Sequence, residues 1–551
     1  MPLDRPSCYR ALSARDARFD GVFYVGVTST RIYCRPVCRA RTPRAANCRF
    51  FSNAAAAERA GFRPCLLCRP ELAPGNAPVD ATALLAQRAT RAIAAGALND
   101  GSVEELARSL GVTGRHLRRA VTEQLGVSLL DLATTHRLLL AKRLLHETRL
   151  PVGQVAFAAG FESLRRFNDA FKRRYRLTPA ELRRAASAAS AASATSATSA
   201  TSAASTASTA SLSCAASTAG TTTADHIELA LDYRPPLDWE SLIDWLAARA
   251  TPGAEWVGDG RYAATVRFPA SMAAAPRGDA VPDARCADGE LVGHVEVEMR
   301  HARRGGRATA PGRARGAIVA RLSPTLLPVL MPLLARLRDL LDLDANPDAV
   351  ARHLARAGAI PSPSAFGGVR IPGTLDGFAL AVRAILGQQV SVRGATTVMG
   401  RLVERFGAPY AGGHHALTRV MPTAQRLAGL GTSDIASLGM PGARADAVLA
   451  LARAVAGGAI VLAPGADAER TVRALTALPG IGEWTAHYIA MRALRWPDAF
   501  PANDLVLRRA AGNVTAAQLV RRAEAWRPWR AYAAMHLWRT AATPADSPSR
   551  S

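Results

Sequence analysis

The chain has 551 residues, about half of them apolar, and 69 Lys and Arg against 44 Asp and Glu give it a net charge of +25; that length leaves room for three or four domains with sizeable cores. The basic excess points to a polyanionic partner, although Lys142 and Lys172 are the only lysines, so an arginine- and alanine-rich composition of the GC-rich kind accounts for part of it. No apolar leader opens the chain, and its most apolar run, residues 326–341, is broken by Pro332, Arg336 and Arg338, which argues against export or membrane spanning and for a bacterial cytoplasmic, nucleoid-associated protein.

Residues 1–75 are rich in Cys and Arg, alternate in short segments such as 21–28, and loop around Pro36, Pro43 and Pro64. In a reducing compartment clustered cysteines are metal ligands or reactive thiols rather than disulfides. Cys34-Arg-Pro-Val-Cys38 and Cys65-Leu-Leu-Cys68 form a CxxxC…CxxC pair, the spacing at which two short knuckles offer four thiolates to one Zn²⁺. Such an ion would supply much of the folding free energy of so small a domain. Cys8, Cys48, Cys214 and Cys286 have no such pairing.

The segment FYVGVTSTRIYCRPVCRARTP…NCRFFSNAAAAERAGFRPCLLC closely resembles the N-terminal domain of the Ada family, over nearly all of residues 9–70. The resemblance implies that Cys34 is a methyl acceptor and that Cys38, Cys65 and Cys68 complete its zinc site. It also places Thr30 and Arg41 at a DNA phosphate, although Arg41 reads almost as well as an ordinary exposed arginine. A zinc-bound thiol is deprotonated and nucleophilic at neutral pH. The implied substrate is a DNA methylphosphotriester, and methylation would leave the cluster less negative and so less repelled by DNA.

Residues 80–185 carry helical periodicity. Ser102-Val-Glu-Glu105 is a capping box, Gly111 supplies a turn, and Thr113 caps a second helix bearing Arg115, His116, Arg118 and Arg119. That is the layout of a helix-turn-helix. A long helix is expected over about 128–147, and then a second unit, PVGQVAFAAGFESLRRFNDAFKRRYRLTPAELRR. The second unit resembles the AraC family in Ala156, Gly160-Phe161, Phe167, Phe171-Lys172 and Thr178-Pro179, which implies two helix-turn-helix units joined by a helix. Arg115, His116, Arg165 and Arg166 are the candidates for DNA contact, and Phe161, Phe167 and Phe171 read as core. An activator of this class implies RNA polymerase as a partner. A plain protein-binding bundle is the competing reading.

Residues 186–224 are almost pure Ala, Ser and Thr, too poor in large apolar side chains to form a core, and read as a disordered tether. Residues 225–340 open with a strand and a helix and are expected to contain a disordered basic insertion at 270–317. Residues 341–540 read as mostly helical and 541–551 as a disordered tail. Leu478-Pro-Gly-Ile-Gly-Glu-Trp-Thr-Ala486 lies between helical runs, and PANDLVLRR follows about twenty residues later. Gly480 and Gly482 allow a sharp turn that exposes N–H groups at a helix start, where a DNA phosphate can bind. Asp504 reads as a helix cap.

The hairpin and the aspartate resemble those of the helix-hairpin-helix glycosylase superfamily, and LDYRPPLDWESLIDWLAARA, GVRIPGTLDGFALAVRAILGQQVSV and AWRPWRAYAAMHLW extend the resemblance to the AlkA type over most of residues 228–540. It implies a small α/β subdomain followed by helical subdomains, with Asp504 catalytic, Trp245, Trp484, Tyr488 and Trp538 around the flipped base, and Gly480, Gly482, Thr485 and Gln389 at the DNA. Each aromatic also reads as helical core. Trp484 stands where bifunctional relatives carry a Schiff-base lysine, which implies a monofunctional enzyme. Gln389 stands where the best-known relative wedges a leucine. No cysteine follows Cys286, so no iron–sulfur cluster is expected, and no Pro-Cys-His-Arg acceptor for O6-methylguanine occurs.

The expected fold is thus multidomain and mainly α: a small zinc-bound α/β domain, a helical AraC-type domain, a disordered linker, and an α/β subdomain with a helix-hairpin-helix glycosylase domain. The expected function is excision of alkylated bases such as 3-methyladenine and 7-methylguanine, joined to single-turnover methyl acceptance and adaptive-response regulation on double-stranded damaged and promoter DNA. The alternative is a pure transcription regulator whose C-terminal part binds lesions without catalysis.

Overall fold

The structure, a computed structural model, describes residues 4–15, 19, 23–51, 57, 60–65, 68, 78–198, 226–269, 272, 290–300 and 317–542. Contacts divide the chain into two units, residues 1–93 with 101–134 and residues 94–100 with 135–551.

In the first unit Asp4 caps α1 (Arg5–Ser13), accepting from the Ser7 N–H at 2.8 Å. Four short strands follow: β1 (Tyr24–Val27), β2 (Ile32–Cys34), β3 (Cys48–Phe51) and β4 (Arg63–Pro64). They form one sheet in the order β3-β1-β2-β4, with β1 antiparallel to β2 and β3 and with β2 parallel to β4. The core is thin and aromatic (Phe23, Tyr24, Tyr33 and Phe62 are buried). Gly26 lets two rings close over the sheet, since a Cβ there would lie 2.8 Å from Phe51 and 2.9 Å from Phe62. After α2 (Pro78–Ala94), α3 (Val103–Ser109) opens on the capping box: Ser102 and Glu105 each accept the other's backbone N–H, at 3.1 and 2.8 Å. Gly111 turns the chain at φ +74°, and Thr113 caps α4 (Gly114–Leu125). Leu117, Ala120 and Val121 are buried, whereas Arg115, His116, Arg118 and Arg119 are exposed.

Helix α5 (Leu129–Glu147) begins in the first unit and continues into the second. There α6 (Val152–Ala158) and α7 (Leu164–Tyr175) make the second turn motif, with Gly160 at φ +83° and Ser163 as the cap. Phe161, Phe167 and Phe171 are buried in series, with successive ring centroids 5.2 and 5.4 Å apart. Helix α8 (Pro179–Thr198) starts on a Thr178–Glu181 box and runs well into the segment expected to be tether. Alanine is the best helix former and proline suits the first turn, so the Ala-rich run extends the helix. The remainder of the expected tether lies outside the described residues.

A five-stranded antiparallel sheet follows, in the order β5-β9-β8-β7-β6: β5 (Ile227–Leu231), β6 (Glu255–Gly258), β7 (Arg261–Pro269), β8 (Glu290–Arg300) and β9 (Ala317–Leu322). The expectation of a disordered insertion over 270–317 is corrected here. Strand β8 lies inside that span and is the middle of the sheet, with Val295 opposite Ala264 and Val297 opposite Ala320. In ELVGHVEVEMR, Val295 and Val297 point inward between Glu296 and Glu298, the alternation a half-buried strand requires. Ala317 belongs to β9, and the rest of the span, Met272 apart, lies outside the described residues.

Helix α9 (Trp239–Ala247) joins the sheet's buried core together with α10 (Leu330–Leu340). The helical remainder includes α11 (Gly377–Leu386), α12 (Val392–Phe406), α13 (Gly442–Ala456), α14 (Glu483–Arg492), α15 (Leu505–Ala510) and α16 (Arg530–Ala542). It has two cores, one around α11, α13 and α14 and another around α15 and α16. The expected tail at 541–551 begins as the last residues of α16, and residues 543–551 lie outside the description.

Substituting Gly26→Ala is expected to destabilise the first sheet by about 1–3 kcal/mol through overpacking against the two rings. A shift of the zinc-dependent unfolding transition to lower denaturant measures it.

Candidate functional site

The first candidate site is built from sulfur. Cys34 closes β2, Cys38 follows in a turn where its N–H meets the Arg35 carbonyl at 3.1 Å, and Cys65 leaves β4 with its N–H on the Tyr33 carbonyl at 3.0 Å. The Sγ atoms of Cys34, Cys38, Cys65 and Cys68 all lie within 4.8 Å of one another. Tetrahedral Zn–S bonds of ~2.3 Å put neighbouring sulfurs roughly 3.8 Å apart, so the quartet fits one zinc ion after a small contraction. Hydrogen bonding to Cys68 and burial push the Cys34 thiol up, and burial foremost raises Cys38 to about 11. Cys68, accepting from Cys34, is held down at about 6. The Arg35 N–H approaches the Cys68 sulfur at 3.4 Å. Cys34 is 9% exposed, and Cys68 is the more open of the two. Cys48 packs in the same core but hydrogen-bonds the Arg44 carbonyl at 3.4 Å and is outside the quartet.

The second candidate site is an aromatic slot around a carboxylate. Asp504 caps α15, its Oδ1 accepting from the Leu507 N–H at 2.8 Å. The same carboxylate accepts the indole N–H of Trp484 on Oδ2 at 2.8 Å and that of Trp538 on Oδ1 at 3.1 Å. Trp484 and Tyr488, one turn apart on α14, stack at 5.3 Å with 7° between planes. Tyr488 meets Trp538 edge-on at 6.4 Å, and Trp538 lies 5.9 Å from Trp245. Tyr488 packs on one helical core and Trp245 and Trp538 on the other, so the slot sits where the two meet. All five residues are only partly exposed. The Trp245 indole N–H is buried with no hydrogen-bond partner among the described residues.

Arginines back the slot, and sequence reasoning missed them. Arg249 lies 3.6 Å over the Trp245 ring. Arg492 is 4% exposed and donates to the Tyr488 hydroxyl at 2.7 Å and to the Pro372 and Gly373 carbonyls. Burial alone would push Tyr488 up, but Arg492 and Arg249 bring its phenol below the ordinary tyrosine range. The readable signal was spacing, since each arginine follows its aromatic by four residues on or beside a helix.

In the hairpin Gly480 has φ +77°, and a Cβ there would come 2.9 Å from that of Ala447. Gly482 starts α14 with no side-chain cap, leaving first-turn N–H groups open. Thr485 lies in the first turn of α14 with its side chain 3% exposed, and its hydroxyl accepts from Gln388 Nε2 at 3.0 Å. Gln388 also reaches the Gly480 carbonyl at 2.9 Å, and Arg444 holds the Gln388 carbonyl at 2.7 Å. The next residue, Gln389, is exposed at φ +54°. Thr30, Arg41, Arg115 and His116 are exposed in the first unit, as are Arg165 and Arg166 in the second.

Four family models match the chain: the metal binding domain of Ada over residues 7–71, a helix-turn-helix domain over 106–185, the AlkA N-terminal domain over 228–376, and the HhH-GPD superfamily base excision DNA repair protein over 382–528. The chain is 39% identical over 551 residues to the "Probable bifunctional transcriptional activator/DNA repair enzyme AlkA" of Mycobacterium tuberculosis, covering 98% of both. It is 35% identical over 310 residues to DNA-3-methyladenine glycosylase 2 of Escherichia coli, covering 56% of this chain and 96% of that protein. Its first residues are 48% identical over 65 positions to the bifunctional transcriptional activator/DNA repair enzyme Ada of Escherichia coli, covering 12% and 18%.

Purified full-length chain is expected to hold one zinc per molecule, and Cys65→Ser to hold almost none, read by elemental analysis after dialysis against a weak chelator.

Proposed function

The chain belongs to the family of bifunctional transcriptional activator/DNA repair enzymes of the AlkA type, and from that membership we propose that it excises N-alkylated purines such as 3-methyladenine and 7-methylguanine from duplex DNA, accepts methyl groups from phosphotriesters on Cys34, and controls the response to that damage. It is a DNA glycosylase of the HhH-GPD superfamily joined to an Ada-type metal-binding domain and a helix-turn-helix regulator, so it binds DNA. The observation that carries the excision reading is the Asp504 carboxylate, held by two indole N–H groups at the wall of an aromatic slot.

The damaged nucleotide is flipped out of the stack into the slot. A cationic alkylated base gains roughly 0.5–2 kcal/mol against an aromatic face. Its bond to the sugar carbon breaks with both electrons going to the base, which leaves neutral. Positive charge develops on the sugar, and the Asp504 carboxylate stabilises it. Water adds to that carbon and gives up a proton, and an abasic site remains. The hairpin position at which a lysine would trap the sugar is Trp484. The open N–H groups at the start of α14 suit a DNA phosphate, and exposed Gln389 suits the gap left by the flipped base.

At the other site bound zinc would hold the four sulfurs as thiolates. The Cys34 sulfur attacks the methyl carbon of the phosphotriester. A carbon–oxygen bond breaks, a carbon–sulfur bond forms, and the phosphate leaves as an ordinary diester. The sulfur cluster is then one unit less negative, which favours DNA binding. Exposed Arg115, His116, Arg165 and Arg166 are the candidates to read promoter DNA, and recruitment of RNA polymerase in the bacterial cytoplasm completes the reading.

Asp504→Asn is expected to slow release of free base from methylated duplex DNA by about 10²–10³-fold, with the variant still folded and still binding DNA; a wild type that released no base would remove the catalytic reading. Incubation with methylphosphotriester DNA is expected to add one methyl group to the peptide containing Cys34 and none to it in Cys34→Ala, as read by peptide mass spectrometry.

A further inference from the structure

The second unit contains an interface that joins the second turn motif to the α/β subdomain, across residues 199–225, which are not described. Strand β5 is the edge of the five-stranded sheet. An edge strand presents unpaired backbone groups that must be covered or solvated. At Ala230 they are covered by side chains of α5. The Ala230 N–H donates to Glu147 Oε2 at 3.1 Å, and the Arg143 guanidinium donates to the Ala230 carbonyl. Arg143 and Glu147 also pair with each other at 3.1 Å, one turn apart, each 27% exposed. One ion pair thus supplies a donor and an acceptor at the spacing of a single residue's backbone, standing in for a neighbouring strand.

A second contact lies at Asn99. Its Nδ2 donates to Met331 Sδ on α10 at 3.3 Å, while Arg137 on α5 holds its Oδ1 at 3.0 Å. Gly160, at the second motif's turn, leaves the space Asn99 fills: a Cβ there would fall 2.5 Å from the asparagine side chain. Between these points Leu144, Leu145, Val155 and Ala159 belong to one continuous buried core with Ile227, Leu229, Leu326 and Met331. Independent domains on a flexible tether do not share a core.

We propose that this surface is a built docking interface, that its occupant is the α5–α6 segment of the same chain, and that the DNA-reading second motif and the excision domain therefore move as one body. This goes beyond the excision reading and does not depend on it, because it concerns which parts of the chain stay joined rather than what Asp504 does.

The test is made in the full-length chain. A site-specific protease sequence is inserted between residues 205 and 215 and cut, and the products are run on size exclusion at micromolar concentration. Both pieces are expected to co-elute at the mass of the whole; two separate peaks would overturn the proposal. In the uncut chain, the Ala230 amide is expected to be protected from hydrogen exchange. The double variant Arg143→Ala, Glu147→Ala should exchange there at least about tenfold faster, while amides at Val295 and Phe167 keep their protection and so show that sheet and turn motif remain folded. An Ala230 amide that exchanges at the unprotected rate in the wild type, or is unmoved by the double variant, would equally refute it.

Discussion

Three N–H groups from three helices converge on the carboxylate of Asp504, and the geometry of the slot follows from that convergence. Trp484 comes from α14, Trp538 from α16, and the Leu507 amide from the first turn of α15. An indole N–H lies in the plane of its ring, so a bond to it fixes where that edge of the ring points as well as the distance. The two tryptophans are thereby both tied to Asp504, and Tyr488 stacks on Trp484. A slip of any one helix breaks a bond at the centre, so the acid is at once the cap of its own helix and the tie between two cores. Such a network is worth more than its separate bonds, because each fixes the geometry of the others.

The charges behind the slot oppose the simplest account of binding. Arg249 covers one side of Trp245, and Arg492 holds the Tyr488 hydroxyl. On the reading proposed above, a cationic base entering the slot meets guanidinium charge at the back and the Asp504 carboxylate at the side. The aromatic faces attract it weakly, by about a kcal/mol, and the nearest carboxylate makes up the balance where charge moves onto the sugar. On that reading the slot is better matched to the separated charge of the breaking bond than to the intact base, the arrangement that accelerates a reaction rather than merely binding its substrate.

What was legible in the sequence was what depends on near neighbours along the chain. The CxxxC and CxxC pairs, the Ser102–Glu105 box and the Thr113 cap are local patterns, and each is met in the structure by the expected contacts. Asp504 was readable as a cap, but its two indole donors lie 20 and 34 residues away and depend on how helices cross. Strand β8 was hidden because its alternation is flanked by arginine- and glycine-rich stretches whose composition dominates a window placed over it. The burial of the Thr485 side chain was likewise not readable, because the buried side of a helix start is decided by what packs on it, here Gln388 from 97 residues away. The alanine run at 187–198 shows the reverse error: composition too poor for a core can still make a helix.

On the reading proposed above, the two chemistries place opposite demands on their sites. A methyl acceptor is consumed by its reaction, so it needs an approach for one carbon and no route for a product; Cys34, nearly buried among three other sulfurs, meets that demand. A glycosylase must release base and DNA and begin again, so every contact in its slot has to be reversible, and the Asp504 bonds are all of that kind. The sulfur cluster therefore accumulates a record that the slot does not. Losing one negative charge weakens its repulsion from DNA phosphates, so the record is written as affinity rather than as a change of fold. A chain that carries both sites scales its own regulation to damage that it also removes.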